Sequence, residues 1–337
     1  MKALIIQTAF IGDVILSLPL IEHLKNISQI ESISYLARPD GYNVLETNPN
    51  LNEIIIYDKK GKDKGLLRLC QIIKKVKQGK YDIAYIPHRS LRSAIIPLFA
   101  GIKKRIGFDK SYISFLYTKK IKYKSNSHEI ERNLSLLSLN NEKFKNIQLK
   151  IYFNESDFQK VEDFFRKHNI KNGEKIVGIA PGSRWATKRW LKERYAELIN
   201  LLKEEKNTRT MIFGSESEIA LCEEINALSK NSGINTVGIF TPRESALAMG
   251  KTSVTVTNDS GATHLAVAGN TKVITIYGAT VPAFGFYPYG NGHIIIEKDL
   301  PCRPCGIHGG DRCPLEHFKC MKDITAEEVF KKVSLYI

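Results

Sequence analysis

Short apolar runs bounded by turn residues alternate along this chain with longer stretches whose apolar positions recur at helical spacing, and the alternation occurs twice. KALIIQ (Lys2–Gln7) passes through FIGD into DVILSLPLIEHLK. SISYLA (Ser32–Ala37), EIIIYD (Glu53–Asp58) and DIAYIP (Asp82–Pro87) continue the series, with amphipathic LLRLCQIIKKVKQ between the last two. After a polar segment, Asn154–Lys175, the rhythm restarts with KIVGIA, TRTMIFG, NTVGIF, SVTVT and KVITIYG, separated by RYAELINLLKEE, SEIALCEEINALSK and ATHLAVAG. Connections of that length and periodicity carry the chain from one parallel strand to the next, so each half is expected to be a parallel sheet covered by helices. TAEEVFKKVSLY at the end opens with the Thr325 and Glu328 spacing of a capping box and predicts a last helix.

The 337 residues, 43% of them apolar, suffice for two cores. No apolar run reaches the ~18 residues that span a bilayer, and Met1–Gln7 leads into a strand pattern rather than a signal peptide, so a soluble cytoplasmic protein is expected. The net charge of +15 is unevenly spread: residues 1–160 hold 27 Lys+Arg against 15 Asp+Glu, and the remainder 23 against 20. The basic clusters Lys59–Lys64, Lys74–Lys80, Lys103–Arg105 and Lys119–Lys124 give the first half a field that attracts acidic partners, or form a solvated surface. They carry no nucleic-acid recognition motif, so no nucleic-acid partner is expected.

Chemistry gathers where the predicted strands end. NDSGATHLAVAG (Asn258–Gly269) runs from SVTVT into a helix whose first N–H groups and dipole favour a phosphate, which makes Asp259, Ser260, Gly261 and His264 candidate ligand contacts. Although Asp259, Ser260 and His264 resemble hydrolase residues in type, they fall within six positions and no GxSxG elbow exists. APGSRWATKRW follows the first strand of the second half and brings Ser183, Thr187 and Lys188 to the same edge, without a Walker A or GxGxxG loop. Lys188 beside a pyrophosphate would stabilise charge on a leaving nucleotide. Asp13 follows the first strand at a helix start, where the dipole should keep it ionised and ready to accept a proton; it equally suits an N-cap. PHRSLRS supplies His88, Arg89 and Arg92, and SHEIERN supplies His128, Glu129 and Arg132, and both suit a polar, anionic acceptor. Four of the six cysteines, Cys302, Cys305, Cys313 and Cys320, lie close together, with His308 and His317 nearby, and suggest a structural zinc or a loop of reduced thiols.

Taken in order, FIGD, PHRSLRS with AGIKKRIGFD, HEIERNLSLL, APGSRWATKRW, NDSGATHLAVA and the CRPC segment resemble the ADP-heptose:lipopolysaccharide heptosyltransferases of glycosyltransferase family nine, most closely the heptosyltransferase II branch. The resemblance spans nearly the whole chain. It implies a GT-B architecture, two Rossmann-like domains with parallel sheets facing across a cleft: an acceptor domain over 1–160, an ADP-sugar domain over 175–324, and a terminal helix over 325–337 packing back on the first. It further implies inverting transfer of a heptose from ADP-heptose to a lipopolysaccharide inner-core or lipid A acceptor, by a monomer peripheral to the cytoplasmic face of the inner membrane, with no required cofactor. YISFLYTKKIKYK (Tyr112–Lys124) would then touch the bilayer. Position by position, Asp13 resembles the catalytic base and Lys188 the nucleotide-contacting lysine. Ser183 corresponds to a phosphate contact, Glu218 to a ribose contact, Asp259, Ser260, Gly261 and His264 to the donor site, and His88 and Arg92 to acceptor contacts. The rival expectations are a transferase for another surface glycan, a nucleotide-sugar epimerase, and a basic nucleic-acid-binding protein.

Overall fold

Strand follows helix through the computed structural model, which describes residues 1–59, 61–138 and 147–337; Lys60 of the first basic cluster lies outside the described residues. The chain divides into two compact units, Met1–Tyr152 and Phe153–Ile337. The first contains β1 (Lys2–Ile6), α1 (Ile11–Lys25), β2 (Ser32–Ala37), α2 (Pro39–Leu45), β3 (Glu53–Ile56), α3 (Leu66–Gln78), β4 (Ile83–Ile86), α4 (Leu91–Phe99), β5 (Lys104–Phe108), β6 (Lys119–Ile121) and α5 (Glu129–Ser135). Its six strands run parallel in the order β3-β2-β1-β4-β5-β6. Leu4, Ile6, Leu36, Ile55, Ala84 and Ile86 meet side chains of α3 and α4 in the core, and burial on both faces is why these strands read as continuous apolar runs.

The second unit holds α6 (Glu155–Lys167), β7 (Ile176–Ala180), α7 (Lys192–Lys206), β8 (Arg209–Ile212), α8 (Ile219–Leu228), β9 (Gly233–Asn235), α9 (Pro242–Gly250), β10 (Val254–Asn258), α10 (Gly261–Ala268), β11 (Lys272–Tyr277), β12 (Ile294–Glu297), α11 (Lys319–Lys322) and α12 (Ala326–Val333). Its parallel order is β12-β11-β10-β7-β8-β9. In each sheet the strand order reverses once, between β1 and β4 and between β7 and β10. Loops leaving two such neighbours diverge to opposite faces and open a crevice at their carboxyl ends.

Several local expectations are corrected. The polar stretch after Asn154 is helical: Asn154 and Asp157 form a reciprocal capping box, and buried Asp157 pairs with Arg243 of α9 at 2.7 Å, so residues 153–160, grouped above with the first half, belong to the second. The strand expected in NTVGIF lies earlier, at β9, because Asn235 Oδ1 accepts from Val237 N (3.1 Å) and Gly238 takes a φ of 73°, which turns the chain. Thr325 caps α12 through Glu328 N (3.2 Å), but the Glu328 carboxylate pairs with Lys298 (2.6 Å) instead of completing the box. That helix packs on α7 and buries Ala326, Val329 and Val333 in the core of the second unit. No helix among the described residues is long and apolar enough to cross a membrane.

Candidate functional site

At the crevice of the first sheet, Asp13 occupies the first turn of α1, whose N-cap is Phe10. Burial pushes its carboxyl from 3.8 up to about 6; the backbone at Phe10 and at Asp13 itself and the charge of Arg89 oppose the rise, and Asp40 adds to it. The helix terminus therefore does not keep this acid at an ordinary carboxylate value, because loss of hydration outweighs the dipole. A carboxyl in that range is mostly ionised at neutral pH yet holds a proton more tightly than an ordinary acid.

His88 follows β4, the strand next to β1. Its Nδ1 lies 3.0 Å from Thr8 Oγ1, 2.9 Å from Ser93 Oγ and 3.2 Å from Ser90 Oγ, and Lys59 Nζ donates to Thr8 Oγ1 at 3.2 Å. Arg92 donates to the Lys59 carbonyl at 3.3 Å. Burial first, then Lys59, Arg89 and Arg38, push the imidazole down to about 3, so His88 is neutral among cations. Neutral donors ringed by fixed positive charge suit an anion. His128 is placed differently: it is buried at the N-cap of α5, and its Nδ1 accepts from Ile130 N at 3.2 Å, so one ring nitrogen serves the helix.

The other two residues offered by SHEIERN, Glu129 and Arg132, form an ion pair at 2.6 Å, and Glu129 is buried. Burial pushes its carboxyl from 4.5 up to about 7; Arg132 opposes the rise and the Asp13 charge adds to it. Two acids thus titrate near neutrality at one crevice. The sequence signal was the Glu/Arg pair at i and i+3; burial, which makes it chemically significant, was invisible.

In the second unit, β7 and β10 deliver their turns to one place. Lys188, in a 3-10 turn at Ala186–Lys188, sets its amine 2.6 Å from Asp259 Oδ2, which also accepts from Thr280 Oγ1 at 2.6 Å. Ser260 caps α10 in extended geometry without using its hydroxyl on the helix, Gly261 begins the helix, and His264 is buried one turn on. The first N–H groups of α10 thus lie beside the Lys188–Asp259 pair, an anion-receptive combination. Ser183 is buried in the β7 turn, and its carbonyl accepts from Arg189 Nε at 2.6 Å. Glu218 accepts from Ser215 N and Oγ, both at 2.8 Å, and its carboxylate crowds Gly182 so closely that an added Cβ would collide with it. The Thr187 hydroxyl accepts from Gly310 N (2.8 Å) and donates to Gly310 O (2.9 Å), so it fastens the cysteine-rich loop to the turn.

Two residues sequence reasoning passed over hold this arrangement. Thr280 is one. The other is Asn258, fully buried, whose Oδ1 accepts from Trp190 N (3.0 Å) and Tyr195 Oη (3.1 Å) while Nδ2 donates to Pro181 O (2.7 Å). One amide thereby fixes both turns, a role the Asn-Asp-Ser-Gly string did not advertise.

The four cysteines, offered above as a structural zinc site or a loop of reduced thiols, are all unpaired by disulfides. Cys320 is buried in the core of the second unit, Cys305 is exposed with its thiol toward Cys302 O (3.5 Å), and Cys302 Sγ lies 3.9 Å from His317 Nε2. Among the described residues no group of three or more His, Cys, Asp or Glu side chains is disposed to hold a metal. Burial first, then Cys305, Cys313 and Cys302, push the Cys320 thiol up to about 11, with Arg303 opposing, so the four thiols lie within electrostatic reach of one another.

The family model of glycosyltransferase family 9 (heptosyltransferase) matches residues 69–312. The chain belongs to that family. It is 27% identical to lipooligosaccharide heptosyltransferase 2 of Campylobacter jejuni across 99% of this chain and 98% of the relative. In structure it resembles the family 9 glycosyl transferase of Veillonella parvula (TM-score 0.88, 22% identity, 99% and 96% of the two chains) and the E. coli ADP-heptose lps heptosyltransferase II (TM-score 0.79, 22% identity, 100% and 98%). Two parallel α/β units of the kind found in GT-B heptosyltransferases are therefore its fold, and a glycosyltransferase its class.

Proposed function

We propose that this family 9 enzyme is an inverting heptosyltransferase that moves a heptose from ADP-heptose to a lipopolysaccharide inner-core acceptor. The observation that carries the reading is Asp13, an acid raised to about 6 at a sheet crevice. It is ionised at neutral pH yet basic enough to take a hydroxyl proton. In the proposed step an acceptor hydroxyl oxygen attacks the anomeric carbon, Asp13 receives its proton, and the bond to the β-phosphate oxygen breaks with its electron pair leaving on ADP. Lys188 and the N–H groups opening α10 receive that charge, which supports transfer without a divalent ion. Ser183, Ser260, Gly261 and His264 line the diphosphate side, Glu218 meets the ribose, and Thr187 supports the turn. His88, Arg89 and Arg92, with Lys59, receive an acidic group of the acceptor.

The same reading places the enzyme, as a monomer, on the cytoplasmic face of the inner membrane. Its support is a set of exposed apolar side chains, Leu66 and Leu67 opening α3 and Tyr112 and Phe115 after β5, among Lys62, Lys64, Lys110 and Lys119. A donor screen with EDTA present tests the function: ADP-heptose should give an inverted linkage by NMR, whereas turnover of another nucleotide sugar alone, or epimerised donor without acceptor, would replace this reading.

A further inference from the structure

Arg89 is an exposed arginine on a loop, yet its charge is felt at Asp13 and at Glu129. A long side chain in that setting spreads over many rotamers unless something holds it. Here something does. The Arg89 guanidinium lies over the Tyr123 ring at 4.2 Å, and Arg132 lies over the same ring at 4.8 Å. Tyr123 is itself fixed: Arg132 donates to its Oη at 2.7 Å, Phe108 meets the ring edge-on at 5.3 Å, and its N–H donates to Asp109 Oδ1 at 2.8 Å. Arg132 is buried, and it donates to Glu129 Oε2 (2.6 Å), Lys124 O (2.9 Å) and Ser125 O (3.1 Å). Behind this, α5 is anchored to the helix that carries Asp13 by Asn133 Nδ2 donating to Leu16 O at 3.1 Å.

We propose that Glu129, Arg132 and Tyr123 are positioning residues for the transfer reaction, forming a platform that holds the Arg89 guanidinium over the Tyr123 ring, where its charge acts on Asp13. The proposal rests on Asp13 as the base, as read above. Burying a Glu–Arg pair is costly unless its remaining donors are met, and here they are met by the segment 123–125, through Tyr123 Oη and the carbonyls of Lys124 and Ser125. The charged and titratable groups around Asp13 are Arg89 after β4, Asp40 on α2, Tyr35 on β2 and Glu129 on α5. Arg89 alone among them favours the ionised acid. Freeing it from the platform should make Asp13 harder to ionise.

The test uses the full enzyme and two readouts: the Asp13 carboxyl titration by carbon-13 NMR, assigned with Asp13→Asn, and the acidic limb of kcat/KM. Tyr123→Leu removes the ring and the Oη that accepts from Arg132 but keeps both charges of the buried Glu129–Arg132 pair, and a thermal melt checks that the variant is folded. Tyr123→Leu should move the Asp13 midpoint and the kinetic limb together to higher pH, by roughly half a unit to one unit, the scale of one nearby charge at a partly exposed site. Tyr123→Phe, which keeps the ring, should hold both near the wild-type position. An unmoved NMR midpoint in Tyr123→Leu overturns the platform. A midpoint that moves while the kinetic limb stays put would overturn Asp13 as the base, and with it the catalytic role of the platform.

Discussion

Replacing Asp13 with Asn should abolish turnover and stabilise the protein, and both effects follow from one carboxyl. Its value of about 6 in place of 3.8 means that folding strips hydration from the ion. At about 1.4 kcal/mol per pH unit the difference amounts to roughly 3 kcal/mol; since Asp13 retains partial exposure, ~1–2 kcal/mol is the realistic figure. The folded-state value lies above the unfolded one, so the penalty is fully present above about 6 and disappears below 3.8. Asn can still accept from the same backbone groups but is never charged. Thermal melts should therefore place the variant above wild type by several degrees at pH 8, with the gap closing as pH falls to 4. Kinetics give the complementary curve. At pH 5 an acid of about 6 is roughly one-tenth ionised, against more than nine-tenths for one at 3.8, so wild-type kcat/KM should fall about tenfold between pH 7 and 5. A profile flat to pH 5, or an Asn variant that turns over normally or melts no higher at pH 8, would refute the assignment.

Lys188→Ala should weaken ADP binding by roughly tenfold to a hundredfold, since it removes a cation beside the diphosphate and leaves the Asp259 carboxylate with the Thr280 hydroxyl; calorimetry showing unchanged affinity would count against the donor assignment. Gly182→Ala should displace the Glu218 carboxylate and cost roughly threefold to tenfold in ADP affinity with little change in melting temperature, and no change in affinity would remove Glu218 from the ribose site. Asn258→Ala strands two buried donors and a carbonyl, so a loss of about 3 kcal/mol in denaturant unfolding of the second unit is expected; a loss below ~1 kcal/mol would mean the amide does not hold the turns. Leu66→Ser with Leu67→Ser should reduce sedimentation with anionic vesicles while leaving turnover of a delipidated acceptor intact, and undiminished sedimentation would move the membrane contact elsewhere.

The strands were legible because parallel sheets bury both faces and leave continuous apolar runs such as SISYLA and KVITIY, which match β2 and β11 closely. What failed lay where period and composition say little. Helix α6 is so polar that only its capping box marked it, and β6 and β12 are short strands at the sheet edges. In the site, motifs located Asp13, Lys188 and Asp259 because strand ends followed by turns are recognisable. They could not show that Lys188 and Asp259, 71 positions apart, would share a hydrogen bond. Nor could they show that Asn258 braces both turns. Proton affinities depend on burial, so Asp13 was expected to ionise too easily, and Glu129 was read as part of an acceptor motif without its raised proton affinity. The four cysteines invited a metal by spacing alone, but the packing that draws Cys320 into the core is a tertiary fact.

The three backbone and hydroxyl bonds between Thr187 and Gly310, with Ala279 linking Thr187 O (3.4 Å) to Cys305 N (2.9 Å), join residues 183–190 and 302–313 into a single structural piece. Gly309 has a φ of 80° and faces Thr187 and Lys188, where a side chain would press on both. Donor preference in this family should therefore not transplant through the lysine turn alone. A chimera that carries only that turn would meet a foreign loop with mismatched bonds. One that carries both segments together would keep Lys188 in register, so the loop behaves as the second half of a two-part graft.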